Sequence, residues 1–263
     1  MKSRIRSCGR TLAAALAACG VLGSALPLAT PASGATRQRL VFAADFRPAA
    51  LGRQWGWQSG SFADCRTNPG DHKLDVLTRS ALRFDGGSLT ITASPRGDGS
   101  WNTGLITTGD SCSTGGSGFQ LRTGDLVTAH LKFPAATSGA WPAVWSWRAG
   151  DHEIDLMEWH SAAPHRLEFV NHARGTYTYW SSSAVHPGAS LWLGVRLGAT
   201  RVTWYAGATQ KTMKAVWHDA RGVGSAFRAY PAISLSVSDG EIYPRPASSR
   251  PISFTVYDYH VLR

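Results

Sequence analysis

Three carboxylates lie within six residues of this chain, at Glu153, Asp155 and Glu158. Alternate side chains of a β-strand share a face, so Glu153 and Asp155 are predicted to point one way and Glu158 the other. One β-bulge between Asp155 and Glu158 would absorb a residue and return all three acids to one face. Two carboxyls on one face can break a glycosidic bond, because one attacks the anomeric carbon while the other protonates the leaving oxygen. The spacing favours this chemistry.

An aromatic run, residues 139–147, precedes the acids and contains Trp141 and Trp145. Indole rings stack on the apolar faces of sugar rings, so we predict that these two side chains lie in a substrate cleft. Trp192 and Trp204 alternate with Leu and Val and are predicted to be buried. Acids that alternate with Ile and Leu usually mark only a strand with one solvated face. The bulge-length gap and the Trp-rich approach favour the catalytic interpretation.

The elements that must position these residues are short strands between Gly-, Pro-, Ser- and Asp-rich turns. Their spacing predicts an all-β chain whose two antiparallel sheets form a jelly-roll sandwich. Residues 244–251 are predicted to be a connection. The predicted strands cover residues 40–46, 82–93, 104–107, 124–133, 143–147, 153–159, 167–172, 176–180, 191–197, 201–206, 232–237 and 252–261.

Residues 1–35 have the pattern of a secretory signal peptide. Four basic residues open the segment, an Ala- and Leu-rich stretch interrupted by Gly and Pro follows, and small residues at 33–35 suit cleavage. The apolar stretch is too broken for a membrane-spanning helix. We therefore expect a secreted, extracellular protein that has no membrane segment in its mature form. A monomer is also expected.

The charge of the mature chain is moderately basic. Removal of residues 1–35 leaves 23 basic and 17 acidic residues, a net charge of +6. The basic residues are scattered and form no run, and no nucleic-acid-binding motif is present, so a nucleic acid partner is not expected. A solvated surface is the favoured interpretation, although such a charge is also compatible with an acidic polysaccharide.

Two cysteines remain after the leader, Cys65 and Cys112. In an oxidising compartment an isolated pair of cysteines generally closes as a disulfide. We predict a Cys65–Cys112 disulfide that joins two loops. By loop entropy such a link is worth up to roughly 4 kcal/mol.

The motif that runs from Trp141 to Glu158 resembles the family 16 glycoside hydrolases, in the bulged branch that includes laminarinases, agarases and carrageenases. The flanking segments 42–46, 85–93 and 257–259 are similar to that family as well. The resemblance implies that residues 36–263 form a single catalytic domain, a curved jelly roll with a concave substrate cleft. It also implies a retaining endo-β-glycosidase that acts on internal β-1,3 or mixed β-1,3/1,4 linkages of a glucan.

The resemblance also assigns roles to single residues. Glu153 matches the nucleophile and Glu158 the general acid and base, and Asp155 lies between them. His172 matches a histidine that lies near the acids, where it would contact substrate or a carboxylate. Asp258 matches a position that can bind a structural Ca²⁺ together with backbone carbonyls. No cofactor is expected to be required for catalysis.

The chain departs from the family pattern around the sugar-binding positions. Leu105 replaces a common Arg, and residues 68–72 and 128–130 replace two other recurrent segments. These changes leave other functions open. The alternatives are an endo-hydrolase of galactan or agar, a wall transglycosylase of the same fold, and a jelly roll that binds carbohydrate without catalysis.

Overall fold

The computed structural model describes residues 38–150 and 152–263, and Gln38–Arg263 forms one compact unit. The predicted signal peptide, residues 1–35, lies outside the described residues and stays a prediction. In the described part of the chain, no helix has the length and apolar character needed to cross a membrane.

Strands make up most of the regular structure in the described residues. Short turns of 3-10 helix interrupt them at Pro48–Ala50, Pro69–Asp71, Arg79–Ala81, His172–Arg174 and Gln210–Thr212. In chain order the strands are β1 (Leu40–Ala43), β2 (Asp75–Leu77), β3 (Leu82–Phe84), β4 (Leu89–Pro95), β5 (Trp101–Thr107), β6 (Leu121–Arg122), β7 (Leu126–Lys132), β8 (Ala140–Trp147), β9 (Ile154–Trp159), β10 (Arg166–Asn171), β11 (Thr176–Ser181), β12 (Ser190–Leu197), β13 (Val202–Gly207), β14 (Lys214–Asp219), β15 (Arg228–Val237) and β16 (Ile252–Leu262).

The strands form two layers. The cleft sheet has the strand order β11-β10-β9-β8-β15-β5, and the back sheet has the order β4-β16-β7-β12-β13-β14, with β3 on β4 and β1 on β16. A short pairing of β4 with β5 joins the layers. All pairs are antiparallel except that of β2 with β5. The predicted all-β jelly-roll sandwich is therefore confirmed.

The core lies between the two layers, where apolar side chains of both sheets alternate inward. Phe169 of the cleft sheet stacks on Trp204 of the back sheet, with ring centroids 5.9 Å apart. Trp204 is fully buried, as predicted. The prediction for Trp192 is wrong: this side chain is half-buried and stacks on His130, 5.0 Å away. Strand alternation places Trp192 on the outer face of β12, opposite its inward neighbours.

The predicted disulfide is present between Cys65 and Cys112, whose Cα atoms are 6.1 Å apart. Cys65 lies in the loop that leads to β2, and Cys112 follows β5. The same loop contributes Phe62 and Asn68 to the cavity described below. The disulfide therefore tethers a wall of that cavity to the sheet.

Candidate active site

The central strand of the site, β9, carries the predicted bulge. Neighbouring residues of β8, Val144 and Trp145, pair with Met157 and Asp155 of β9. Because the two partners on β9 are two positions apart, Leu156 is an extra residue in that strand. The pairing of β9 with β10 shifts at the same place. The bulge predicted between Asp155 and Glu158 is therefore confirmed.

The bulge changes which side chains face the cleft. Leu156 and Met157 are consecutive, yet both are buried in the core between the sheets. The alternation therefore restarts one residue later, and Glu158 emerges on the same side as Asp155. Glu153, immediately before β9, joins them, and all three carboxylates line one cavity. The structure thus brings the three predicted acids together on one face.

The back sheet supports the bulge directly. A bulge leaves ladder groups unpaired, and a buried carbonyl without a partner is costly. The indole Nε1 of Trp204 donates a hydrogen bond to the backbone oxygen of Asp155, at 2.9 Å. The buried Trp204 therefore fixes the backbone of the acid-bearing strand.

Trp141, predicted to bind substrate, lines the same cavity and contacts the candidate acid itself. Its Nε1 donates a hydrogen bond to Oε1 of Glu158 at 2.9 Å. The ammonium of Lys73 lies 4.5 Å from the centre of the Trp141 ring and covers one face of it. In this arrangement Trp141 orients Glu158, and the face beneath Lys73 is closed to a sugar ring.

His172 lies beside the other two acids. Its Nε2 is 3.1 Å from Oδ2 of Asp155 and 3.7 Å from Oε1 of Glu153. The hydrogen bond with Asp155 raises the pKa of His172 to about 9, against the opposing effect of burial. The imidazolium ion is therefore the form expected at neutral pH. Its positive charge offsets part of the negative charge of the cluster.

Burial dominates the protonation of the candidate acid. Loss of solvent and the nearby charge of Asp155 raise the pKa of Glu158 to about 8, while Lys73 and the Trp141 N–H favour the ionised form. Glu158 is therefore expected to carry a proton at neutral pH, as a general acid must before substrate is cleaved.

Glu153 and Asp155 experience the same crowding. Burial raises the pKa of both carboxyls, and the charge of Asp155 adds to the rise at Glu153. The imidazolium of His172 opposes the rise at both residues. Burial, with the charge of Asp155, prevails and raises the pKa of Glu153 to about 8, the same value as for Glu158, so these pKa values do not distinguish the nucleophile from the acid. The imidazolium of His172, 3.7 Å from Glu153, favours the ionised form that a nucleophile needs.

The cavity that contains the acids has a volume of about 360 Å³. Trp145, the second indole predicted to bind substrate, lines it and donates a hydrogen bond to Oγ of Ser234, at 3.1 Å. The wall of the cavity combines aromatic faces with small polar groups, which suits a sugar chain. Besides the residues already named, the wall contains Ser61, Phe62, Asn68, Asp71, Ala143, Trp147 and Ser236.

Sequence reasoning missed Lys73 as a cleft residue. Its ammonium forms an ion pair with Asp71 at 2.7 Å, and its side chain is mostly buried. The segment 68–72 departs from the family pattern, and that departure is the sequence signal that pointed to this region. It could not identify Lys73, because only the fold brings this segment, more than 60 residues before Trp141, against the indole.

The described residues also enclose a larger cavity, of about 590 Å³, between the start of β16 and the segment 132–138. Lys132 and Arg250 line it together with small and apolar side chains, and no acidic side chain is among its lining residues. It has no group that could act as a nucleophile or general acid on a glycoside, so we place the candidate active site in the smaller cavity.

The calcium site predicted at Asp258 stays a prediction. Asp258 is on β16, and its carboxylate is partly exposed and lies 3.8 Å from Nδ1 of His130. Calcium prefers six to eight oxygen ligands. An imidazole nitrogen beside a single carboxylate fits that preference poorly, and no step proposed below uses a metal.

Among the described residues, two trios of side chains have metal-ligand atoms within 4.8 Å of one another. One contains Glu153, Asp155 and His172, and the other contains Glu158, His160 and Glu168. In the first trio Nε2 of His172 is already bonded to Asp155. Crowded carboxylates in a cleft need no ion to explain them, and we assign a metal to neither trio.

Comparison with known proteins gives a match in structure and none in sequence. No family model matches the chain, and no curated protein matches it. The solved endo-β-1,3-glucanase from Pyrococcus furiosus has 16% identity and a TM-score of 0.68, over 86% of this chain and 94% of the other. The catalytic domain of an endo-1,3-β-glucanase (laminarinase) from Thermotoga petrophila has 14% identity and a TM-score of 0.67, over 86% and 98%.

A third solved structure has the same fold and a different description. It is an immunostimulatory antigen and pseudo β-1,3-glucanase of Mycobacterium tuberculosis, with 17% identity and a TM-score of 0.61 over 84% of this chain and 98% of the other. The predicted resemblance to laminarinase-like glycoside hydrolases is thus confirmed in the fold. At these sequence identities the structural similarity establishes the fold. The activity has to be inferred from the residues of the candidate site.

Proposed function

We propose that this protein is a secreted, retaining endo-β-glycosidase that hydrolyses internal β-1,3 linkages of a neutral glucan, with mixed β-1,3/1,4 glucan as a second substrate. The observation that carries the proposal is the bulged strand β9. It presents Glu153, Asp155 and Glu158 to one cavity, with Glu158 held by the Trp141 N–H.

In the first step Glu158 donates its proton to the glycosidic oxygen while Glu153 attacks the anomeric carbon from the opposite side. The bond to the leaving sugar breaks, and a covalent glycosyl ester forms on Glu153. The Trp141 N–H then stabilises the carboxylate that forms when Glu158 has given up its proton. The Asp155–His172 pair beside Glu153 compensates the change in charge as Glu153 becomes an ester.

In the second step the Glu158 carboxylate takes a proton from a water molecule, and that water attacks the anomeric carbon. The ester bond to Glu153 breaks, and Glu158 is again a protonated acid. Two inversions give net retention of configuration. The acid therefore has to bind and release its proton once in every cycle, which suits the raised pKa of Glu158.

The cleft favours a neutral substrate. Aromatic side chains such as Phe62, Trp145 and Trp147 supply faces for uncharged sugar rings. The cation beside the acids, Lys73, is already paired with Asp71 at 2.7 Å. A sulfated or acidic galactan would have to compete with Asp71 for that charge.

A transglycosylase would use the same residues and differ only in whether a sugar replaces the water of the second step. A carbohydrate-binding jelly roll without activity is the other alternative, and one structure with this fold is described as a pseudo β-1,3-glucanase. The crowded acids weigh against it, because a binding site gains nothing from carboxylates that are costly to ionise. Secretion is part of the proposal and rests on the sequence pattern of residues 1–35. A monomeric state is proposed as well.

Incubation with a panel of polysaccharides tests the substrate. We expect oligosaccharides from laminarin and, more slowly, from mixed-linkage glucan, and none from β-1,3-galactan, agarose or carrageenan. Because the substrate is neutral, the rate on laminarin is expected to change by less than about twofold between low and physiological salt, where the screening length falls to about 8 Å. Sizing of the products over time measures both the substrate preference and the effect of salt on the rate.

A Glu153→Gln variant controls for contaminating activity in the same panel. Oligosaccharides from a galactan alone would contradict the glucan assignment and leave the two-carboxylate mechanism in place. Products that grow longer than the starting chains would identify a transglycosylase. Binding of laminarin without any products would identify the non-catalytic alternative.

A further inference from the structure

A third glutamate lies beside the candidate acid. The chain contains only four glutamates, and three of them, Glu153, Glu158 and Glu168, are at or next to the cavity. Glu168, on β10, is the direct cross-strand partner of Glu158 on β9. Directly opposed residues of neighbouring strands project to the same face, with Cβ atoms about 5 Å apart. Two like charges in that position repel each other.

A buried imidazole lies beside the two glutamates. His160, two residues after Glu158 and on the same face, has only 4% of its surface exposed. Its Nε2 is 3.7 Å from Oε2 of Glu168, and one ligand atom of each of the three residues lies within 4.8 Å of the others. Neither ring nitrogen of His160 has a hydrogen-bond partner in the described part of the chain.

Aromatic rings hold this imidazole in place. Tyr243 stacks on His160 with ring centroids 3.5 Å apart, and Trp141 packs against it at 4.5 Å. Trp141 is the residue that donates to Glu158. The trio is thus part of the same packed unit as the acid, and it is set back from the cavity wall, which includes Glu158 but neither of its partners.

We propose that Glu168 is a positioning residue that keeps Glu158 in its acid form between turnovers, and that His160 holds the Glu168 carboxylate toward Glu158. This inference rests on the proposed function, in which Glu158 is the general acid. It adds a residue outside the motif of three acids, and it explains why a carboxylate is placed opposite an acid that must keep a proton.

Other charges also act on Glu158, and the proposal concerns the part that belongs to Glu168. The charge of Glu168 acts together with burial and Asp155 to raise the pKa of Glu158, whereas Lys73 opposes them. Burial lowers the pKa of His160, so His160 is expected to be neutral, with Nε2 facing the Glu168 carboxylate at 3.7 Å. The titratable or charged groups around Glu158 are Glu153 just before β9, Asp155 on β9, His160 after it, Arg166 and Glu168 on β10, His172 after β10, Lys73 before β2, and Tyr243 after β15.

The test compares Glu168→Gln with Glu241→Gln, a change at the fourth glutamate, which is exposed. Removal of the charge at Glu168 makes Glu158 easier to ionise, so the basic limb of the pH profile of kcat/KM is expected to move down by about one pH unit. The acidic limb, which reports ionisation of Glu153, is expected to stay within about 0.3 unit. Glu241→Gln is expected to leave both limbs unchanged.

A second variant, His160→Phe, keeps the aromatic stack and removes the ring nitrogens. It is expected to move the basic limb in the same direction by a smaller amount, because Glu168 is then no longer held toward Glu158. A basic limb that stays in place in His160→Phe would overturn the part assigned to His160.

Direct titration makes the result independent of activity. With ¹³C-labelled glutamate carboxyls the protein gives signals from only four side chains, and the signal lost in Glu158→Gln identifies Glu158. The midpoint of that signal is expected to fall by about one pH unit in Glu168→Gln and to stay in place in Glu241→Gln. Equal midpoints in both variants would overturn the proposal. A shifted midpoint in a protein that cleaves no glycan would support the Glu168–Glu158 pair and reject the proposed function alone.

Discussion

Glu158→Gln and Glu153→Gln are each expected to lower kcat on laminarin by a factor of about 10³ or more while the fold survives. Glutamine has nearly the same shape as glutamate, but it can neither deliver a proton nor form a glycosyl ester. Positioned acid–base chemistry alone is worth about 10²–10⁴ in rate, and loss of the nucleophile removes the covalent route altogether. Initial rates of reducing-sugar release measure the effect.

Glu241→Gln is the matched control, since it makes the same chemical change at an exposed glutamate. Its rate is expected to equal that of the wild type, and circular dichroism and the melting temperature of all three variants show whether they fold. A folded Glu153→Gln or Glu158→Gln variant that keeps more than about a tenth of the wild-type rate would show that the role assignment is wrong.

Azide is expected to restore activity to Glu153→Ala on an activated β-glucoside and to give the α-glycosyl azide. The alanine leaves space at the position of the missing carboxylate, and the small anion attacks the anomeric carbon from that side. One inversion then replaces two, so the product has the opposite configuration to the substrate. We expect a rescue of at least about tenfold, within the range that a restored nucleophile supplies.

The matching variant at the other carboxylate distinguishes the two roles. In Glu158→Ala the nucleophile is intact, so azide is expected to resolve the ester on Glu153 and to give the β-glycosyl azide. NMR of the anomeric proton identifies each product. If Glu153→Ala gave the β-glycosyl azide and Glu158→Ala the α-glycosyl azide, Glu158 would be the nucleophile and Glu153 the general acid.

The sequence was informative about the site where spacing alone decides geometry. The proposed chemistry requires the three acids to lie on one face of the strand. Regular alternation would place Glu158 on the opposite face, and a single bulge is the smallest change that returns it. The structure has that bulge at Leu156. The disulfide was equally predictable, because only the cysteines at 65 and 112 lie outside the predicted leader.

The contacts of the site could not be predicted in the same way, since they join segments far apart in the chain. Trp141 was expected to stack on sugar, but the fold covers one of its faces with Lys73 and directs its N–H to Glu158. Glu168 fits the alternation of an ordinary strand and gave no signal. Its relation to Glu158 depends on the register of β9 with β10, which no local pattern specifies.

The strands that the sequence missed are the short or marginal ones. β2 and β6 have three and two residues, too few to show alternation. β14 is at the edge of the back sheet and is largely exposed, so it lacks an apolar face. Trp192 shows the opposite error, because a large apolar residue in a strand was assigned to the core although its position in the alternation faces outward.

The configuration of the first product tests the central claim most directly, since the claim is a double displacement on Glu153. Proton NMR during hydrolysis of laminarin by the wild-type protein resolves the new reducing ends before they mutarotate. We predict that the β-anomer appears first and that the α-anomer grows in only at the rate of mutarotation. Initial formation of the α-anomer would show a single displacement by water and would contradict the assignment of Glu153 as the nucleophile.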